Sequence, residues 1–516
     1  KLKTGLKRKT LTFIQANSPW WRKMENSKLF PRGDLSLEGF RFKREIRDPI
    51  YGYVYITLLE NEVIDRPEFQ RLDRLYQTYA THQVYPSSTH TRKAHALGVM
   101  YLAHRALIRI LRRQAPSFNL NVHPLYGEPC IPVGEVDGLN RLDGATGNPW
   151  WDGKSYVQII QALRLAALLH DVGHAPFCHT FEDACNELAV KLKDSSLRFN
   201  HEEMGVRIVS EKLASVIGNH MSVEDVLEVM RSRSRAPPFL HEIVDGPYDV
   251  DKLDYLNRDS YHAGTLEYGS VDHERIIDGF RVKDWRLLIS RPAVGALLDS
   301  FIALQHMYAN VYYHRTSRIF EFMIYDALSL MPELLRSIVS SPDELLNYDD
   351  LTLIVEVKHK RNLKGGDRYE EAYQIFRDLL DRRKRYATIY EHRLSLRTVS
   401  RREAELEKLK RSLEESCRDV RLRVDYRAEI RPIGVDLTNL LSLLEAPMIV
   451  DEEKGKAVSL KEFSDASYRT LSRYQIVFHI FADRKKTLSG EYDGMLGRVK
   501  REAEAELSRI EAEEEA

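Results

Sequence analysis

The feature that most constrains this chain is LLHDVGHAPFCHTFE, residues 168–182, which closes an apolar helical pattern that starts at Val157. It sets His170, Asp171, His174 and His179 within ten positions. His174 falls about one helical turn after His170 and Asp171, on roughly the same face. Pro176 disfavours continued helix, so His179 is expected to reach the same cavity from a turn or a new helix start. The neighbouring imidazole and carboxylate of His170 and Asp171 suit a divalent transition metal better than Mg or Ca, which prefer all-oxygen shells. The stretch by itself names no reaction.

Length and charge bound what surrounds it. At 516 residues the chain exceeds one usual core, so a main domain plus at least one accessory unit is expected. Lys plus Arg and Asp plus Glu are both 77, so the whole-chain field favours neither a nucleic-acid nor an anionic-membrane partner. Cys130, Cys178, Cys185 and Cys417 show no CxxC spacing, which argues against a zinc knuckle or a disulfide scaffold and fits a reducing cytoplasm. The basic start has no apolar run behind it, and no stretch is apolar enough to span a bilayer, so a soluble protein is expected.

Along the chain, residues 1–46 read as a basic and aromatic arm carrying Trp20 and Trp21. A mainly helical domain is expected over 47–330, with Pro67 opening a helix and apolar positions at helical spacing from Leu97 to Leu111. Residues 114–153, rich in Pro, Gly and Asn, interrupt it as a loop insertion or lid. A charged helical region is expected over 331–425, with helix-prone sequence through 369–419. A small α+β unit is expected over 426–490, anticipated by the alternation of RLRVDYR (421–427), and including a hairpin around Gly455 and the alternating YQIVFHIF. The acidic tail 491–516 reads as a solvated or frayed helix. The fold class is therefore mainly α, with a smaller C-terminal α+β unit.

Further histidines and carboxylates accompany the central stretch. THTRKAHALG places His95 near a helix start with Arg92 one turn earlier, FNHEEMG offers His201 beside Glu202, and in YDVDKLDYLNRD the residues Asp251, Tyr255 and Asp259 share one face if helical. Together with DPIYG and FQRL, these motifs, in this order over about residues 47–330, resemble the HD-domain phosphohydrolases. Within them they resemble the deoxynucleoside triphosphate triphosphohydrolases, a group that includes a human enzyme joining a sterile-alpha-motif to an HD domain.

The resemblance implies an HD-domain helical core and a metal shell of His95, His170, Asp171 and Asp251, a donor set that does not choose among Fe, Mn, Zn, Ni and Co. It implies water attack at the α-phosphate of a dNTP, releasing deoxynucleoside and triphosphate, with Mg accompanying the substrate. His201 matches a general acid/base, with Glu202 expected to hold its tautomer and His179 close to the chemistry. His174, His179, Arg92 and Lys252 match phosphate contacts, Tyr255 a residue near the sugar, and Gln77 and Asp259 partners of the 3′-hydroxyl. Arg315 and Arg318, in MYANVYYHRTSRIFEF, are further phosphate candidates. Lys93 and Ala94 stand where relatives carry an aromatic and an acid, and Thr78-Tyr79-Ala80 where the human relative has a glycine-rich turn. The family also implies a homo-oligomer, dimer or tetramer, and is compatible with an effector nucleotide. The basic run 381–403 is read as a solvated face rather than a nucleic-acid site.

Overall fold

The computed structural model describes residues 40–115, 146–362, 367–396, 399–428, 449–451, 456–459 and 474–515. Residues 1–39 of the expected arm, 116–145 of the expected insertion and the turn at Gly455 lie outside them. The architecture is mainly α, with small sheets attached.

The described chain opens on a hairpin, β1 (Phe42–Asp48) and β2 (Gly52–Thr57), which begins ahead of the boundary expected at 47. Asp48 closes its turn by accepting from the Ile50 and Tyr51 amides at 2.8 and 3.0 Å. Thr57 and Glu60 form a capping box that starts α1 (Leu58–Ile64). Pro67 opens the short helix Pro67–Gln70, as its fixed φ and missing N–H favour.

The helices that carry the site follow: α2 (Arg92–Gln114), α3 (Tyr156–Leu169), α4 (His179–Leu192), α5 (His201–Ile208) and α6 (Val250–Ala263). The Ser155–Gln158 capping box starts α3, whose positions from Ile159 to Leu169 are all buried, so it is the central helix of the domain. Each large apolar side chain buried there contributes about 1.5–3 kcal/mol. The α3 helix packs along α2, and α6 packs on α2 from another side.

One polar pair runs through this core. Glu60 accepts from Gln161 Nε2 at 2.6 Å and from Arg164 Nε and Nη2 at 2.6 and 2.7 Å, and all three side chains are buried. Removing one partner of such a pair strands a charge in the core. Glu60→Ala is therefore expected to lower stability by about 3–5 kcal/mol, read as a drop in denaturant midpoint at unchanged slope; a midpoint equal to wild type would refute this account of the pair.

Beyond the site helices come the hairpin β3 (Phe280–Lys283) and β4 (Arg286–Ser290), and the helices α7 (Arg315–Ser329), α8 (Asp350–Lys360) and α9 (Asp367–Leu380). The helix-prone stretch 369–419 is then broken by a strand, β5 (Tyr386–Leu396), before α10 (Val399–Ser416). Tyr386, Thr388, Ile389 and Tyr390 have the β-branched and aromatic character that suits a pleated, half-buried surface, and an available partner strand outweighs the surrounding helix formers. The basic run 381–403 is thus a turn, a strand and a helix start, not one helix face.

β5 joins β6 (Arg423–Ala428) and β9 (Tyr474–Asp483) in an antiparallel sheet of order β5-β9-β6. The strands expected around Gly455 are β7 (Ile449–Asp451) and β8 (Lys456–Val458). They do not enter that sheet: β7 pairs in parallel with β4, extending the β3–β4 hairpin. The acidic tail is a helix, α11 (Asp493–Glu515), but it is not simply solvated. Leu496, Val499, Ala503, Leu507 and Ile510 are buried on one face against β5 and α10. Among the described residues no helix is long and apolar enough to cross a membrane.

Candidate metal and phosphate site

The loops and helix ends of α2 to α6 surround a cavity of about 260 Å³. His95 enters it one turn inside α2; His170 caps α3; Asp171 follows at once; and Asp251 sits in the first turn of α6, whose N-cap is Asp249. His95 Nε2 lies 2.8 Å from Asp251 Oδ1 and 3.7 Å from Asp171 Oδ2. His170 Nε2 lies 3.3 Å from Asp171 Oδ1 and 3.7 Å from Asp251 Oδ1. Ligand atoms of His95, His170 and Asp251 all fall within 4.8 Å of one another.

Two glycines let these elements approach. A Cβ on Gly98 would collide with the Asp254 carboxylate and the Arg258 guanidinium, so any other residue there would displace these two side chains. A Cβ on Gly173 would strike the His201 carbonyl and the Gly205 backbone, so the turn after Asp171 can touch the start of α5 only through glycine.

The donor set fits a divalent metal on three grounds. His170 Nδ1 lies 2.8 Å from the Ala167 carbonyl, which assigns the proton to Nδ1 and leaves Nε2 as the free donor atom. That Nε2 is buried without a hydrogen-bond partner. The field also calls for a cation. Burial opposes the His95 imidazolium, yet Asp251 and Asp254 outweigh it and raise His95 to about 10. Burial likewise opposes the Asp251 carboxylate, and His170 and His95 hold it far below the usual range.

Behind the ligands runs a buried relay. His95 Nδ1 lies 2.7 Å from Asp254 Oδ2; Arg258 donates to both Asp254 oxygens at 2.8 and 2.9 Å and to Asp48 Oδ2 at 2.9 Å. The hairpin turn at the start of the described chain therefore orients a histidine in α2. Asp254→Asn is expected to keep the fold and weaken metal binding about 10- to 100-fold, measured by competition with a chelator; wild-type affinity would remove Asp254 from the site.

On the other side of Asp171 lies a second group. Arg92 Nη1 donates to Asp171 Oδ2 at 2.5 Å and Arg92 Nε to Cys178 Sγ at 2.9 Å, while His174 Nε2 is 3.2 Å from Asp171 Oδ1. Burial opposes the Asp171 carboxylate, but Arg92, His170 and His174 keep it well below the usual range. His174 and His201 stack with centroids 4.0 Å apart, and His179 meets both edge-on. Burial, then the neighbouring Arg92 and His201, keep His174 and His179 neutral well below the usual imidazole range. His201 Nδ1 lies 2.7 Å from Glu182 Oε2.

Residues 158–259 match the model of the HD domain, and residues 271–465 that of the HD associated region. The chain is an HD-domain protein. Among its relatives, a Methanocaldococcus jannaschii protein is 29% identical over 321 residues, 61% of this chain and 55% of that one. The Homo sapiens deoxynucleoside triphosphate triphosphohydrolase SAMHD1 is 28% identical over 369 residues, 64% of this chain and 53% of that one. Its Dictyostelium discoideum homolog is 26% identical over 330 residues, 62% and 56% of the two chains. The chain thus spans about half the length of these curated relatives. A crystal structure of a hypothetical Aquifex aeolicus protein, 22% identical, superposes with a TM-score of 0.59 over 90% of this chain and 100% of that one. A Bacteroides thetaiotaomicron phosphohydrolase, 20% identical, gives 0.58 over 86% and 99%. These two share the fold.

Most of the residues singled out from the sequence face this cavity. Besides those above, Gln77, Glu202, Lys252, Tyr255, Asp259 and Arg318 line it. His179 is the first residue of a new helix, as Pro176 led one to expect. Gln77 Oε1 is buried without a partner, whereas both Asp259 oxygens are engaged, by His90 Nε2 at 2.7 Å and by the Tyr312 hydroxyl at 2.6 Å. Lys252 Nζ bonds Asp249 Oδ2 at 2.5 Å and the Gly246 carbonyl at 2.9 Å.

Four placements differ from expectation. His174 does not share a helix face with His170 and Asp171, because α3 ends at Leu169 and the three residues follow it outside any helix. The partner of His201 is Glu182, not Glu202: His201 and Glu202 are consecutive in a helix and so point about 100° apart, whereas Glu182 reaches across from α4. Arg318 is buried at the cavity wall but bonded to Asp425 of β6, at 2.7 and 3.1 Å, and to Glu321. Arg315 does not line the cavity; it is exposed and lies 3.6 Å from Glu391. Glu182, Asp254, Arg258, Asp48 and Tyr312 were not singled out from the sequence. For Asp254 a signal existed, since it lies one turn after Asp251, but spacing cannot show which face turns toward α2.

Proposed function

We propose that this chain is a metal-dependent phosphohydrolase acting on deoxynucleoside triphosphates, releasing deoxynucleoside and triphosphate. The observation that carries the reading is the adjacency, in one cavity, of the His95–His170–Asp251 donor cluster with Asp171 and with His201, whose Nδ1 is held from behind by Glu182. His95, His170, Asp171 and Asp251 would hold a divalent metal, which would supply Lewis acidity at a phosphoryl oxygen and ease the loss of a proton from the attacking water.

The protein groups do the rest. Arg92 and the neutral His174 and His179 face the phosphate chain, with Lys252 able to turn from Asp249 toward it. As the bond from the α-phosphorus to the water oxygen forms and the bond to the 5′-oxygen breaks, the water sheds a proton to solvent and His201 Nε2 gives its proton to the leaving 5′-oxygen. His201 is reprotonated from solvent after product release, and Glu182 at Nδ1 holds the ring in place. At the other end Gln77, Tyr255 and Asp259 meet the sugar, and the unpartnered Gln77 Oε1 suits a hydroxyl donor. The likeness to relatives named as deoxynucleoside triphosphate triphosphohydrolases supports the same substrate class.

A nucleotide panel read by product identity tests this. Protein loaded in turn with Mn, Fe, Co, Ni or Zn is incubated with each dNTP, the matching ribonucleotides and the monophosphates. Deoxynucleoside and intact triphosphate are the expected products. Pyrophosphate or orthophosphate release would move the attack off the α-phosphorus, and no product with any dNTP and any metal would end the reading.

A further inference from the structure

We infer that Asp350, from the HD-associated region, is a positioning residue that holds the two walls of the cavity together; the inference rests on the reading that His174 and His179 face the substrate phosphates. Asp350 is the first residue of α8 and is fully buried. One carboxylate oxygen accepts from the Phe177 amide at 2.7 Å, and the other from the Tyr76 amide at 2.9 Å. These amides belong to different walls: Phe177 stands between His174 and His179, and Tyr76 immediately precedes Gln77.

The loop that Asp350 holds carries backbone strain. Phe177 and Cys178 both have positive φ, 59° and 51°, a region that non-glycine residues enter at a cost and keep only where surroundings enforce it. The enforcement comes from two neighbouring groups. Arg71, also buried, donates to the His174 carbonyl and, from its Nε, to the Tyr348 carbonyl, both at 2.6 Å. The Phe177 ring stacks on Phe376 of α9 with centroids 5.6 Å apart. Residues 348–350 and 376 thus reach from the associated region to the backbone that aims His174, His179 and, through Cys178, Arg92. Burial raises the Asp350 carboxyl to about 7, so a carboxylate here is unfavourable for its own sake. Only a carboxylate offers two acceptor oxygens to two converging amides; asparagine would turn an N–H donor against one of them.

The test uses the full metal-loaded chain and compares wild type, Asp350→Asn, Arg71→Lys and, as a control in the same helix, Leu353→Ala, which truncates a buried side chain that can accept from neither amide. Bound metal, amide hydrogen exchange of peptides spanning 174–179, and kcat with KM for dNTP are measured at a temperature where all variants are folded. Asp350→Asn is expected to keep its metal, exchange the loop amides faster, and lose kcat by about 10- to 100-fold. Leu353→Ala lowers the melting temperature but keeps wild-type loop exchange and kcat. Should Asp350→Asn not fold, Arg71→Lys carries the same expectation from the other clamp. Loop exchange or kcat unchanged from wild type in the metal-loaded Asp350 variant, or equally altered in the Leu353 control, overturns the inference. If wild type hydrolyses no dNTP, the functional reading fails on its own, and the clamp is judged by exchange and by calorimetric titration of inorganic triphosphate.

Discussion

Asp171→Ala is expected to leave a chain with almost no bound metal and no measurable turnover. Asp171 is the point where the two halves of the site meet: it lies 3.3 Å from His170 Nε2, 3.2 Å from His174 Nε2 and 2.5 Å from Arg92 Nη1. Truncation removes a ligand and frees a buried guanidinium that had one carboxylate partner. The second effect costs about 3–5 kcal/mol of stability, so metal content and turnover must be read well below the melting temperature. The first removes Lewis-acid stabilisation worth several kcal/mol, on the order of a 10³-fold loss or more in rate. Asp171→Asn keeps the volume and isolates the charge. Metal analysis decides the matter: a variant that holds wild-type stoichiometry would show that Asp171 is not a ligand.

His201→Ala is expected to do the opposite, keeping the metal and losing turnover by about 10²- to 10⁴-fold, the range for a general acid. Glu182→Gln, which leaves His201 in place but removes the carboxylate 2.7 Å from Nδ1, should lose less, and the double variant little more than His201→Ala alone, because the two act as one unit. This pair of outcomes also separates two uses of the histidine cluster. His174, His179 and His201 bring ligand atoms within 4.8 Å of one another, as His95, His170 and Asp251 do. If His201→Ala loses metal as Asp171→Ala does, the second cluster holds an ion and the acid role must be reassigned.

Much of this site was legible before any coordinates because the chemistry is written in short spacings. His170, Asp171 and His174 lie within five residues, although they follow the end of α3 rather than share a helix face. Asp251, Tyr255 and Asp259 recur at helical intervals, and Pro176 keeps the chain non-helical until His179 opens α4. The alternation in RLRVDYR and YQIVFHIF foretold β6 and β9 in the same way. Where local and non-local preferences disagreed, the sequence misled. β5 lies in a charged stretch with strong helix formers on both sides and exists because β9 offers it a partner along its whole length. The tail looked solvated because its charges outnumber its apolar residues, yet the few apolar ones share a face and β5 and α10 cover it.

What the sequence by itself determined is residue types and their nearness to helix ends: His170 beside Asp171 as an imidazole–carboxylate pair suited to an ion, with further histidines close by; the full set of expected ligands and phosphate contacts came from the family resemblance. Ligand chemistry and the helical period are local properties, so they survive without a fold. What only the tertiary structure decided is which acid serves which base. Glu182 meets His201 across 19 residues, Asp48 meets Arg258 across 210, and Asp350 meets the Phe177 amide across 173. Each of those bonds depends on how helices pack and which groups burial leaves in need of a partner, and no spacing in the chain encodes that.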